Sequence, residues 1–149
     1  MIHTVILDWK RTLYDPDDKT LISGSRELLD VLRSKRMRIV LVGKGGKDMY
    51  AEVKRLGIEE YFSYIFFREG VKDDTLFNEH MSKDLQGTLF IGDRARSELA
   101  VGKRLGALTL WVRQGKFADE KPESEEPQPD YMVSSLPEIV QLLKTLKVL

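Results

Sequence analysis

An α/β fold, with one parallel sheet carrying helices on both faces, is what this sequence predicts, and three observations predict it. Apolar, largely β-branched runs recur at Thr4 to Leu7, Arg38 to Val42, Thr88 to Ile91 and Leu108 to Val112, continuous rather than alternating, as strands buried on both faces are. Helix-period segments stand between them, and this alternation requires right-handed crossovers and a parallel sheet. Two of the runs end on an acid, Asp8 directly and Asp93 after Gly92, at the carboxyl ends where such sheets bind ligands.

The elements follow in order. After the first strand, Leu13 to Gly24 contains Asp15-Pro16-Asp17-Asp18 and Ser23-Gly24-Ser25, turn chemistry that predicts a flap-like loop over 13–24. Ser25 is a plausible N-cap for a helix lined by Leu28, Leu29 and Leu32. The strand Arg38 to Val42 runs into Gly43-Lys44-Gly45-Gly46, and Met49, Val53 and Leu56 line a second helix stopped by Gly57. Tyr64 to Phe67 is a short apolar run and Thr75 to Met81 reads as helix. Glu98 to Leu105 is a helix closed by Gly106, ahead of the last strong strand. The stretch 117–130, rich in Glu and Pro, is a solvated acidic loop, and Leu136 to Leu146 make a closing helix.

With 149 residues the chain matches one domain, and a single domain over 1–149 is expected. A formal net charge of zero gives no bulk attraction to nucleic acid or an anionic membrane. The absence of cysteine excludes disulfides, thiolate zinc sites and a cysteine nucleophile. The two histidines, His3 and His80, lack ligand spacing and read as structural or surface residues. Met1 to Leu7 is too short an apolar run for a membrane span and has no basic leader, so a cytoplasmic protein is expected.

Asp8 and Asp93, each just past a buried strand, should project into one crevice. Buried carboxylates are costly unless a cation neutralises them, and magnesium, a hard ion held by oxygens, is the cofactor this pair suggests. The alternative is that each Asp caps the helix that follows it. Gly43, Lys44 and Gly45 could turn their N–H groups into an anion nest, with Lys44 or Lys47 adding charge. The run is no P-loop, because Asp48 follows Gly46-Lys47 where Ser or Thr is required.

The run Ile6-Leu7-Asp8-Trp9-Lys10-Arg11-Thr12-Leu13 resembles the first motif of the haloacid dehalogenase-like hydrolases, an apolar strand followed by Asp-x-Asp-x-Thr. Ile39 to Gly43 lies where that family has its second motif, Lys72 where it has its lysine, and Ile91-Gly92-Asp93-Arg94 where it has its acidic fourth motif. The resemblance covers almost the whole chain and implies a three-layer, Rossmann-like fold. It implies Asp8 as nucleophile, and Lys72 screening that carboxylate and the phosphoryl group. Magnesium would be held by Asp8, the backbone carbonyl of Lys10 and Asp93, with Glu98 contributing through water. Phosphate contacts would fall to Thr12, Gly43, Lys44 and Lys72.

Two departures qualify this. Lys10 occupies the position of the family's second Asp, and an ammonium with an ordinary pKa of roughly 10.4 is a poor substitute for a carboxylate that must shuttle protons near neutral pH. Gly43 replaces a Ser or Thr hydroxyl. The intervals 13–24 and 43–72 leave no room for a cap domain, so a capless member is expected. The expectation is a magnesium-dependent phosphohydrolase with weak or specialised turnover, acting on a phosphorylated small molecule or a phosphoprotein. The competing one is a catalytically inactive anion-binding or regulatory protein in which the Lys10 charge replaces part of the cation's role. No nucleic-acid or membrane partner is expected. Trp9 could wall the pocket or pack in the core, and the aromatics Tyr61, Phe62, Tyr64, Phe66 and Phe67 suit either core packing or a homodimer surface.

Overall fold

A computed structural model describes residues 2–69, 86–93, 98–104, 106–114 and 129–145. In chain order they form β1 (Thr4–Asp8), β2 (Tyr14–Asp15), β3 (Thr20–Leu21), α1 (Ser25–Ser34), β4 (Arg38–Lys44), α2 (Lys47–Arg55), a 3-10 turn (Glu59–Tyr61), β5 (Tyr64–Arg68), β6 (Thr88–Gly92), α3 (Glu98–Arg104), β7 (Leu108–Val112), β8 (Tyr131–Val133) and α4 (Leu136–Thr145). Six strands make one sheet in the order β5-β4-β1-β6-β7-β8, parallel at every pairing. The chain winds outward from β1 to β4 and β5, then returns to the other side of β1 with β6. The order therefore reverses between β1 and β6, the kind of switch point where open parallel sheets hold ligands.

Strand alternation divides the core in two. Val5 and Leu7 of β1, Ile39 and Leu41 of β4, and Leu89 and Ile91 of β6 point to the larger core. There they meet Leu28, Leu29 and Leu32 of α1, Met49 and Val53 of α2, and Leu136, Ile139 and Leu143 of α4. Ile6, Val40, Val42 and Phe90 point the other way, to Leu99 of α3 and to Trp111. Gly102 lets α3 come close, since a Cβ there would lie 3.0 Å from the Phe90 ring. Helices thus cover both faces, as the continuous apolar strands require.

Several expectations need correcting. The 13–24 segment contains a small antiparallel hairpin, with Tyr14 opposite Leu21 and Asp15 opposite Thr20; strands of two residues are too short to show a period. Ser25 is the first residue of α1, not its cap. Gly24, left-handed at φ 92, holds the cap position, and the Ser25 hydroxyl donates instead to the Leu13 carbonyl at 3.1 Å. The edge strand β8 was not anticipated. The anticipated helix Thr75 to Met81, the loop 117–130, and residues Lys72 and His80 lie outside the described residues.

The run Tyr64 to Phe67 is a strand at the sheet edge, and its aromatics divide between the two cores. Phe67 is buried with the larger core, where Tyr61 and Phe62 pack, whereas Tyr64 and Phe66 pack on the smaller one. Among the described residues no helix is long and apolar enough to cross a membrane.

Candidate functional site

Asp8 is the last residue of β1, and its backbone is aligned with Val42 of β4. On the other side Leu7 is aligned with Ile91, so the next residue of β6, Gly92, stands beside Asp8. A Cβ on Gly92 would lie 3.7 Å from that of Asp8. Asp93 follows at once. The two acids therefore sit on adjoining strand ends at the switch point, 3% and 2% exposed respectively. The Asp93 carbonyl accepts a buried hydrogen bond from the Trp111 indole Nε1 at 2.9 Å.

Past Asp8 the backbone makes one tight turn. The Trp9 carbonyl accepts from the amides of Thr12, Leu13 and Tyr14, and Arg11 N–H donates to the Tyr14 carbonyl at 2.7 Å. Arg11 takes a left-handed φ of 65, uncommon for a residue with a Cβ. Lys10 is half-buried and bridges to Tyr14. The bonds of that bridge use the Trp9 carbonyl and the Arg11 N–H, so Lys10's own carbonyl is not consumed by it. Gln114, just beyond β7, reaches across with Nε2 donating to the carbonyls of Arg11 at 3.2 Å and Thr12 at 3.1 Å. Thr12 is fully buried and its hydroxyl has no hydrogen-bond partner among the described residues.

Trp9 is core, not pocket wall. It stacks on Tyr14 with centroids 4.7 Å apart and donates from Nε1 to the Met49 sulfur at 3.3 Å. Its Cβ and the Phe67 ring also close the space over Gly43, where an added Cβ would meet them at 2.9 and 3.1 Å. The anticipated nest over Gly43 to Gly45 is not formed as such. The strand β4 extends to Lys44, aligned with Arg68, and the Gly45 N–H goes to the Arg68 carbonyl at 3.2 Å. Gly46 N–H is taken by the Asp48 carboxylate at 3.1 Å. Lys44 itself is exposed at the strand end. Glu98 begins α3, and its side chain, like Lys72, lies outside the described ones.

A polar chain docks the hairpin on α2. The Tyr14 hydroxyl donates to Glu52 at 2.6 Å, Arg55 pairs with Glu52 at 2.7 Å, and Arg55 also donates to the Lys19 carbonyl at 2.5 Å. Arg55, then the Tyr14 hydroxyl, holds the Glu52 carboxyl down at about 2. Burial, then Glu52, pushes the Tyr14 phenol up to about 12. Sequence reasoning missed Trp111 and Gln114 as contacts of the acid loops. A tryptophan inside an apolar strand and a glutamine after it carry no pattern that marks them.

Residues 69–139 match the family model described as HAD-hydrolase-like. The chain is similar to a haloacid dehalogenase-like family hydrolase from Xanthomonas campestris, with a TM-score of 0.73 at 14% identity over 95% of each chain. It is 24% identical over 131 residues to a glyceraldehyde 3-phosphate phosphatase of Pyrococcus furiosus, covering 83% of this chain and 54% of that protein. In sequence over residues 69–139 and in fold along nearly its whole length, the chain is similar to haloacid dehalogenase-like hydrolases. A second relative, the pyrimidine 5'-nucleotidase YjjG of Escherichia coli, is 25% identical over 132 residues, covering 83% of this chain and 57% of its own length. The chain thus spans about half the length of these curated members.

Proposed function

We propose that this protein is a magnesium-dependent phosphohydrolase, in which Asp8 is the nucleophile and turnover is weak or specialised because Lys10 stands in place of the usual acid-base Asp. The observation that carries the reading is the placement of Asp8 and Asp93 on adjoining strand ends, both nearly buried. Two acids so placed can share one cation. Their oxygens, with the Lys10 carbonyl, suit a hard ion, and magnesium commonly keeps several waters beside one or two carboxylates. Glu98 would join it through water. Magnesium held there would draw charge from the phosphoryl oxygens and keep the substrate in line.

An Asp8 carboxylate oxygen attacks phosphorus and forms an aspartyl phosphate, the bond from phosphorus to the leaving oxygen breaks, and that oxygen takes its proton from water. Water then attacks the phosphorus, the bond to Asp8 breaks, and inorganic phosphate leaves. Lys72 and Lys44 would supply positive charge to the phosphoryl group. General acid-base groups contribute roughly 100-fold to 10,000-fold where present, and residue 10 supplies none. Activated substrates should react fastest, and hydrolysis of the aspartyl phosphate should limit the rate.

We read residues 1–149 as one capless domain, since the hairpin closes with the short turn 16–19 and α2, the 3-10 turn and β5 occupy 47–68. The names of the relatives, a sugar-phosphate phosphatase and a nucleotidase, support a phosphorylated small molecule as substrate. A cytoplasmic location and a homodimer through the β5 edge belong to the same reading. The second reading, an inactive anion-binding protein, is favoured by the closed space at Gly43. Incubation with magnesium and an aryl phosphate tests both: the proposal expects a burst of released phenol close to one per chain, lost in Asp8→Asn, and the second reading expects none.

A further inference from the structure

We infer that Gln114 is a positioning residue for the Asp8 loop, with Trp111 performing the same task for Asp93; this rests on the proposed site. The two contacts come from one place. The backbone of β7 aligns Trp111 with Gly92, and from there the indole donates to the Asp93 carbonyl. Three residues later the Gln114 amide donates twice to the turn after Asp8, to carbonyls of neighbouring residues. Gln114 is itself fixed, because its N–H bonds to the Val112 carbonyl at 3.0 Å and Arg113 N–H bonds to the Val133 carbonyl of β8 at 2.8 Å. The end of β7 therefore contacts both the turn after Asp8 and the backbone of Asp93.

The turn needs this support, because Arg11 sits at a left-handed φ, a conformation that persists in a side-chain-bearing residue when its surroundings over-determine it. Gln114 engages the Arg11 carbonyl itself. By engaging the Arg11 and Thr12 carbonyls, Gln114 holds the two peptides that follow Arg11 and Thr12. The peptide just before them carries the Lys10 carbonyl, the backbone oxygen assigned to the cation, and its Arg11 N–H is tied to the Tyr14 carbonyl. Gln114 reaches neither substrate nor cation in this account; it acts through the loop.

Gln114→Glu keeps length and replaces the donating amide with a carboxylate facing two carbonyl oxygens, and Gln114→Leu removes the donor without adding charge. Amide hydrogen exchange by NMR reads the clamp directly. Exchange at Arg11, Thr12 and Leu13 is expected to rise at least about tenfold in either variant while β4 and β6 amides keep their protection. Magnesium titration followed by amide shifts is expected to weaken about tenfold or more, the usual scale for an outer partner of a metal site. Where turnover is measured, kcat falls and KM stays nearly constant. Exchange in the turn within about twofold of wild type overturns the inference whatever the activity. Faster exchange without any magnesium binding by the wild type would instead count against the proposed site and leave the clamp standing.

Discussion

The Cβ that any residue other than glycine would carry at position 43 falls 2.9 Å from the Cβ of Trp9. Gly43 is therefore matched to the tryptophan beside Asp8, and the missing second-motif hydroxyl belongs to a repacked strand end. Trp9 and Phe67 fill that end from both sides. Gly43→Ser should destabilise the protein by about 1–3 kcal/mol, the usual range for overpacking, without raising turnover. Thermal melts and phosphatase assays of the variant check this; a stable, more active Gly43→Ser protein would show that the space can open.

Lys10→Asp should restore a proton carrier next to Asp8. Steady-state hydrolysis of an aryl phosphate is expected to rise, and that of an alkyl phosphate to rise more, by up to about 100-fold or beyond, because a poor leaving group gains most from an acid. Equal gains on both substrates would mean that protonation is not what limits the wild type.

Thr12 carries a hydroxyl buried without a hydrogen bond among the described residues. An unsatisfied buried polar group costs about 1–3 kcal/mol. Thr12→Val, close in shape, should leave stability unchanged or raise it by up to about 1 kcal/mol in chemical denaturation. A clear loss would reveal a partner for the hydroxyl.

The docking of the hairpin on α2 should depend on pH through Glu52. Its carboxyl is held at about 2 in the fold against an ordinary value of 4.5. A depressed folded value means that the contribution is complete above the unfolded value and is lost as pH falls through the folded one. The melting temperature should drop between pH 5 and pH 2, and Glu52→Gln should flatten that part of the profile. Profiles of identical slope would remove Glu52 from the acid response.

Much of the fold is legible in the residues, for definable reasons. Ile6, Leu7, Ile39, Val40, Leu41, Phe90 and Ile91 lie in strands buried on both faces, so they are continuously apolar and recognisable. The period of Leu28, Leu29 and Leu32 marks α1 equally well. Asp8 and Asp93 stand out because an acid directly after such a run has few structural uses. What escapes is carried by geometry without pattern. β8 has only three residues, with Met132 56% exposed, so burial leaves a faint trace in its sequence. Ser25 looks like a cap because serine is a common one, yet its hydroxyl turns back to Leu13. Gln114 meets residues more than a hundred positions earlier, and nothing local to it announces that contact.

The most direct measurement of the central claim is acid-quenched mass spectrometry after mixing with magnesium and an aryl phosphate. A phosphoryl group is expected on the peptide containing Asp8, accumulating in the wild type, absent from Asp8→Asn and cleared faster in Lys10→Asp. Release of phenol with no adduct on that peptide, or with an adduct on another residue, would contradict the claim.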